Sequence, residues 1–212
     1  MRAQIMIFRE GANHQVLRAW LNMHDLAAAS ALLAASVGLG VAFNGVLIQE
    51  FIVPLWSSVS VHLMTPALAG VAVAVAVATR HQWVDAFQVT LSAAARAMWI
   101  ALVTGTASVA VALPVLAADS PGAAWPVLRN VLLFAALGLA GTAVSSSTWA
   151  WVGPAAYTLL CLVFGQNPSG TDGFRWWAVA LEEAAGLDSL LMTAALCVIA
   201  AGTLIASDAR RS

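Results

Sequence analysis

Inside a long apolar run, His62 stands with Thr65 three residues on and Pro66 beside it. An ionisable group is costly to bury in hydrocarbon, so this imidazole is a functional candidate. It can contact or protonate a passing solute, or tie two helices together by a hydrogen bond. His62, Thr65 and Pro66 are therefore the candidate substrate-pathway residues. No second His, Cys or carboxylate stands at ligand spacing from His62 in the sequence, and no metal is expected. Glu182 and Glu183 are adjacent, and adjacent helical residues do not share a face, so they read as a solvated surface or an external polar gate and not as an acid/base pair. The hydroxyls of "SSST" at 145–148 have no His or Asp near them in sequence and read as a turn. Cys161 and Cys197 sit deep in apolar runs, where a thiol behaves as a small hydrophobe. No catalytic residue is expected.

A second cluster is "TRHQWVDAFQVT", residues 79–90, which interrupts a chain otherwise rich in Ala, Val and Leu. Trp83 and Phe87 are four apart and share a face of a short helix. They are either aromatic anchors offered to the pocket of a soluble partner or rings resting at lipid headgroups. All nine basic side chains are arginine. Without lysine the chain has no phosphate-binding Walker A site of its own, and with neither a Gly-rich loop nor a basic aromatic patch it is not read as binding nucleic acid.

The elements that must position these residues follow from composition. The chain is 61% hydrophobic and 9% charged, against about 45–50% apolar and about 25% charged for a soluble domain. This is a membrane protein. A helix crossing the ~30 Å hydrocarbon layer needs about 20 apolar residues. The expected fold is all-α and polytopic, with six transmembrane helices at about 26–48, 55–78, 97–117, 127–144, 148–165 and 187–206. Residues 26–206 form the bundle, 207–212 a cytoplasmic tail, and 1–25 a cytoplasmic interfacial helix in which Val16, Leu17, Trp20 and Leu21 share one face. "IMIF" near the start is too short for the apolar core of a cleavable signal. Between the last two spans, "GQNPSGTDGFRWWAVALEEAAGLD" opens with turn residues and continues into a short extracellular helical segment.

Arginine placement sets orientation. Arg2, Arg9, Arg18, Arg80, Arg96, Arg210 and Arg211 fall on one side of an even-numbered bundle, and by the positive-inside rule both termini and residues 79–96 are cytoplasmic. Arg129 departs from the pattern and is expected to snorkel to the outer interface. Pro66, Pro114 and Pro154 are candidate hinges, because proline removes a helical hydrogen bond, while Gly138 and Gly141 allow close helix approach.

A half-size chain with an interfacial N-terminal helix, six spans, a short cytoplasmic helix after the second and an extracellular helical segment before the sixth resembles the type-2 ABC exporter permeases. The resemblance covers nearly the whole chain as architecture. As sequence it is thinner: where such permeases commonly carry an "E-x-G-T-L"-like stretch after the second span, this chain has "RHQWVDAFQVTL", with Arg80 and Asp85 as approximate counterparts. The resemblance implies that Trp83, Val84, Asp85 and Phe87 form a coupling helix. It also implies a separate ABC ATPase that binds ATP and Mg, a second copy or homologous permease, and a place in the bacterial cytoplasmic membrane. The substrate would be hydrophobic or amphipathic, such as a peptide or antibiotic, moved outward by alternating access between two conformations.

Ala27, Ala31 and Ala35 form a small-residue ridge on the first span. It supports a rival likeness, to six-span substrate-capturing subunits of energy-coupling-factor vitamin importers, which dock a partner through such a face. A non-transporting scaffold or immunity-type protein is the third class.

Overall fold

The computed structural model describes residues 25–43, 46–48, 59–78, 93–117, 121–144, 147–165, 174–184 and 186–211. Residues 1–24, with most of the expected interfacial helix, and residues 79–92, with Trp83, Val84, Asp85 and Phe87, lie outside that set.

The described residues form six helices: α1 (Leu26–Ala42), α2 (Pro66–Val77), α3 (Ala93–Ala117), α4 (Pro121–Val144), α5 (Val152–Phe164) and α6 (Leu187–Arg211). Three short 3-10 turns, at Val61–Leu63, Ser147–Trp149 and Val179–Leu181, accompany them. A two-residue antiparallel pairing, β1 (Leu47–Ile48) with β2 (Val59–Ser60), completes the fold.

The expectation of six spans is corrected: among the described residues three helices can cross. Helices α3, α4 and α6 run for 25, 24 and 25 residues, about 36 Å at ~1.5 Å per residue. They are long and apolar enough to cross a membrane, whereas α1, α2 and α5, with 17, 12 and 13 residues, are not. The discrepancy has a local cause in each run. The first apolar run is helical only to Ala42: Phe43 closes the helix on Leu39, Val46 turns back to Phe43, and the chain then pairs as strand. The second run becomes α-helical only at Pro66, which takes the first helical position, where a missing N–H costs nothing. The fifth spends its start on a 3-10 turn, and α5 begins at Val152. Pro154 falls in the first turn of α5, so Pro66 and Pro154 open helices and remove no helical bond. Pro114 alone of the three candidate hinges interrupts a helix, one turn before the end of α3.

Helix α4 is the centre. It packs on α2, α3, α5 and α6, and 61% of its membrane-length window is buried, against 28% for α3 and 22% for α6. The shared core joins Val73 and Val77 of α2, Ile100, Ala107 and Val111 of α3, Val127, Val131, Ala135 and Leu139 of α4, and Cys197, Ala200 and Leu204 of α6. Away from the core, α3 exposes Met98, Leu102, Val109 and Leu113, and α6 exposes Leu191, Val198 and Ile199. In water such faces would be a liability; against lipid tails they are the expected surface.

Glycines let the central helices touch. A side chain at Gly70 would overlap the main chain of Phe134, and a Cβ at Gly138 would lie 2.8 Å from the Cβ of Ala74 and 3.1 Å from the Gly70 carbonyl. At Gly141 it would meet the Trp149 carbonyl at 3.0 Å. The expected close approach at Gly138 and Gly141 is thus found, with α2 and the α4–α5 turn as the neighbours.

Two polar bonds mark helix ends. The Asp25 carboxylate accepts the Ala28 N–H at 3.4 Å and caps α1. The Trp99 indole N–H donates to the Ala76 carbonyl at 3.2 Å, near the C-terminal end of α2. Trp99→Phe loses that bond along with the larger ring, and the bond alone is expected to be worth about 0.5–1.5 kcal/mol of stability. Thermal melting in detergent measures it.

Candidate functional site

The polar chemistry of the described residues concentrates near the N-terminal end of α4. Arg129 and Asn130 are both 0% exposed, a little over one turn inside the membrane-length part of that helix, which starts at Ala124. Two buried polar residues there need partners, and non-helical backbone supplies them. The Asn130 Nδ2 donates to the carbonyls of Leu63 and Ala180, each at 2.9 Å. Its Oδ1 accepts from Arg129 Nε at 3.1 Å. The Arg129 Nη2 donates to the Glu182 carbonyl at 2.6 Å.

These bonds seat a strap, residues 174–184, whose backbone is mostly turn and 3-10 and cannot satisfy itself as a helix does. Tyr157 of α5 adds another bond, its hydroxyl donating to the Trp177 carbonyl at 2.8 Å. Its ring stands edge-on to Phe134 of α4, with centroids 5.9 Å apart. Thus three strap carbonyls, at Trp177, Ala180 and Glu182, are held by side chains of α4 and α5. Between the bonds the strap buries apolar side chains: Ala178, Ala180 and Leu181 are at most 1% exposed. Ala178 and Leu181 close over Cys161. A Cβ at Gly165 would come within 2.6 Å of Leu181 Cδ1, so glycine there makes room for the strap.

The expected snorkelling of Arg129 is therefore corrected. Its guanidinium turns inward to the strap, because the carbonyls there are nearer partners than water. One nitrogen is left over: Nη1 has no hydrogen-bond partner among the described residues and lies 4.0 Å from the Glu182 carboxylate, whose side chain is 55% exposed. Glu182 and Glu183 are both exposed, in keeping with a solvated surface.

His62 and Thr65 come together with Ser36 at the α1–α2 junction. Thr65 Oγ1 donates to the His62 carbonyl at 3.0 Å, and Ser36 Oγ donates to the Thr65 carbonyl at 2.8 Å. Beside them is a cavity of about 10 Å³, bordered also by Gly40 and Pro114, the size that holds one water molecule. The His62 Nδ1 is buried there without a hydrogen-bond partner among the described residues. His62 lies outside the three helices able to cross. Burial holds its imidazole below the ordinary histidine range, against the opposing pull of Glu183. Pro66 is buried at the start of α2 and has no part in these bonds.

Cys161 and Cys197 are buried free thiols. Among the described residues no group of three His, Cys, Asp or Glu side chains is placed to hold a metal ion. The arrangement as a whole is a set of donors aimed at carbonyl oxygens, suited to binding backbone at membrane depth. The sequence reading of Arg129 as a snorkelling side chain left out Asn130 beside it, although two such residues in an apolar helix were themselves the signal.

The chain matches no protein-family model, no curated protein and no solved structure.

Proposed function

We propose that this chain is the membrane subunit of an ATP-driven exporter, which moves a hydrophobic or amphipathic substrate outward while a separate ATPase supplies the energy. The reading rests on one observation above others. A non-helical strap is seated on the central helix at one end of the bundle, directly before the last span, where an exporter permease carries its extracellular segment. In this reading the strap end faces outward, and residues 79–90 and the C-terminus face inward. A chain without lysine then depends on a partner for ATP and Mg, and the 79–90 segment, through Trp83, Val84, Asp85 and Phe87, receives the push. His62, Thr65 and Pro66 border the substrate path.

Co-purification tests the proposal. The tagged chain is expected to bring down an ABC ATPase, and Trp83→Ala with Phe87→Ala is expected to cut the associated ATPase activity by tenfold or more, the loss produced when central aromatic anchors are truncated. Recovery of the chain with no ATPase would sink the reading.

One observation favours the rival. Ala27, Ala31 and Ala35 are exposed on α1, so the small-residue ridge is uncovered by this chain's described residues. A vitamin-capturing subunit would dock its partner there and retain a tightly bound small ligand when purified alone.

A further inference from the structure

We infer that Arg129 is the centre of a binding site for a phosphate group presented at the strap end of the bundle, with Glu182 as the built-in group that such an anion displaces. The guanidinium is fully buried and already held by two bonds, from Nε to Asn130 and from Nη2 to the Glu182 carbonyl. Those bonds fix its plane and leave Nη1, with its two N–H donors, without a hydrogen-bond partner among the described residues; it is enclosed, with the Glu182 carboxylate 4.0 Å away, so an anion reaches it by taking that carboxylate's place. A buried cation with an idle edge is costly unless an anion completes it. The carboxylate of Glu182 does not complete it: at 4.0 Å it is beyond hydrogen-bond distance, and its side chain reaches the surface. A phosphate oxygen at about 2.8 Å from Nη1 makes the charge-assisted bond that Glu182 leaves unmade.

The surroundings suit a headgroup. Trp125 lies four residues before Arg129 on α4, and therefore on the same face; it is 53% exposed, and Trp176 of the strap is 89% exposed. Exposed tryptophans mark the depth at which lipid headgroups sit. A phosphate at that depth has either of two sources, an anionic phospholipid or a soluble phosphate ion. The site asks the same chemistry of both.

The test uses the full chain in nanodiscs of phosphatidylcholine, with increasing phosphatidylglycerol in one arm and, in the other, inorganic phosphate against chloride at equal ionic strength. Lipid retained by native mass spectrometry and the melting temperature are the readouts. Glu182→Gln removes the competing charge and leaves Arg129 in place, so it is expected to lower the half-saturating phosphatidylglycerol fraction, or phosphate concentration, on the order of tenfold, the value of one charge-assisted bond. Arg129→Gln is expected to abolish both responses. A response confined to phosphatidylglycerol assigns the source to lipid; one that inorganic phosphate reproduces without it assigns a soluble ion. Should Arg129→Gln fail to fold, the Glu182→Gln titration decides alone. Titrations of wild type and Glu182→Gln that superimpose in both arms overturn the inference, as does a full response in folded Arg129→Gln. No ATPase or transport assay enters, so the result stands apart from the exporter reading.

Discussion

Asn130→Leu is expected to unseat the strap. The substitution keeps the same branched skeleton of four heavy atoms, but it leaves the Leu63 and Ala180 carbonyls without the Nδ2 donor they share, and Arg129 Nε without its acceptor. Each buried polar group so orphaned costs about 1–3 kcal/mol, which sums to a large part of the stability of a chain this size. The protein carries its own reporter. Cys161 is 0% exposed beneath Ala178 and Leu181, and a thiol in that position is inert until its cover lifts. In Asn130→Leu the alkylation of Cys161 by a maleimide is expected to accelerate at least tenfold, while Cys197, in the core between α4 and α6, keeps its rate. Equal acceleration at both thiols would mean the whole bundle had loosened. No change at Cys161 would mean the carbonyl bonds do not hold the strap.

Gly70→Leu is expected to prevent assembly of the bundle. Even the first carbon of the new side chain overlaps the main chain of Phe134, which has no rotamer by which to give way. Overpacking a core costs about 1–3 kcal/mol when flexible side chains can adjust, and the cost rises when the obstacle is a neighbouring helix backbone. Size-exclusion chromatography in detergent is expected to show loss of the monodisperse peak. The contrast lies on α3, where a Cβ at Gly105 meets nothing within 4 Å. Gly105→Ala is expected to be neutral or to raise the melting temperature, since alanine is the better helix former by about 0.5–1 kcal/mol. Similar behaviour of the two variants would show that α2 and α4 do not pack through Gly70.

These residues also explain how much was legible beforehand. Apolar runs located the helices, each of which overlaps one run, but three of the six are shorter than hydrocarbon demands. They did not report where helix starts within a run. Pro66 marked the start of α2, yet the apolar stretch before it hid the strand pairing at Val59–Ser60 and the 3-10 turn at Val61–Leu63. Nor did hydropathy separate inward from outward faces. Val131 faces protein and Val109 faces outward, and a valine meets lipid tails and protein core on nearly equal terms. Size carried more information than polarity, as Gly138 and Gly141 show. The donor site at Arg129 was the costliest omission. An arginine near a span end has two outlets, water at the interface or carbonyls in the protein, and only the fold places the strap within its reach.

The shortness of α5 has a consequence for the surrounding bilayer. Thirteen residues reach only about 20 Å, while the hydrocarbon of an ordinary membrane is ~30 Å thick. Leu159, Leu160 and Phe164 nonetheless turn outward. A helix too short to cross that still turns apolar side chains outward calls for cover that the full-length α3 and α6 do not: lipid drawn in toward it, at fractions of a kcal/mol per Å of mismatch, or another apolar surface. The α5 flank is therefore expected to sit more easily in a bilayer of thin hydrocarbon than in a thick one.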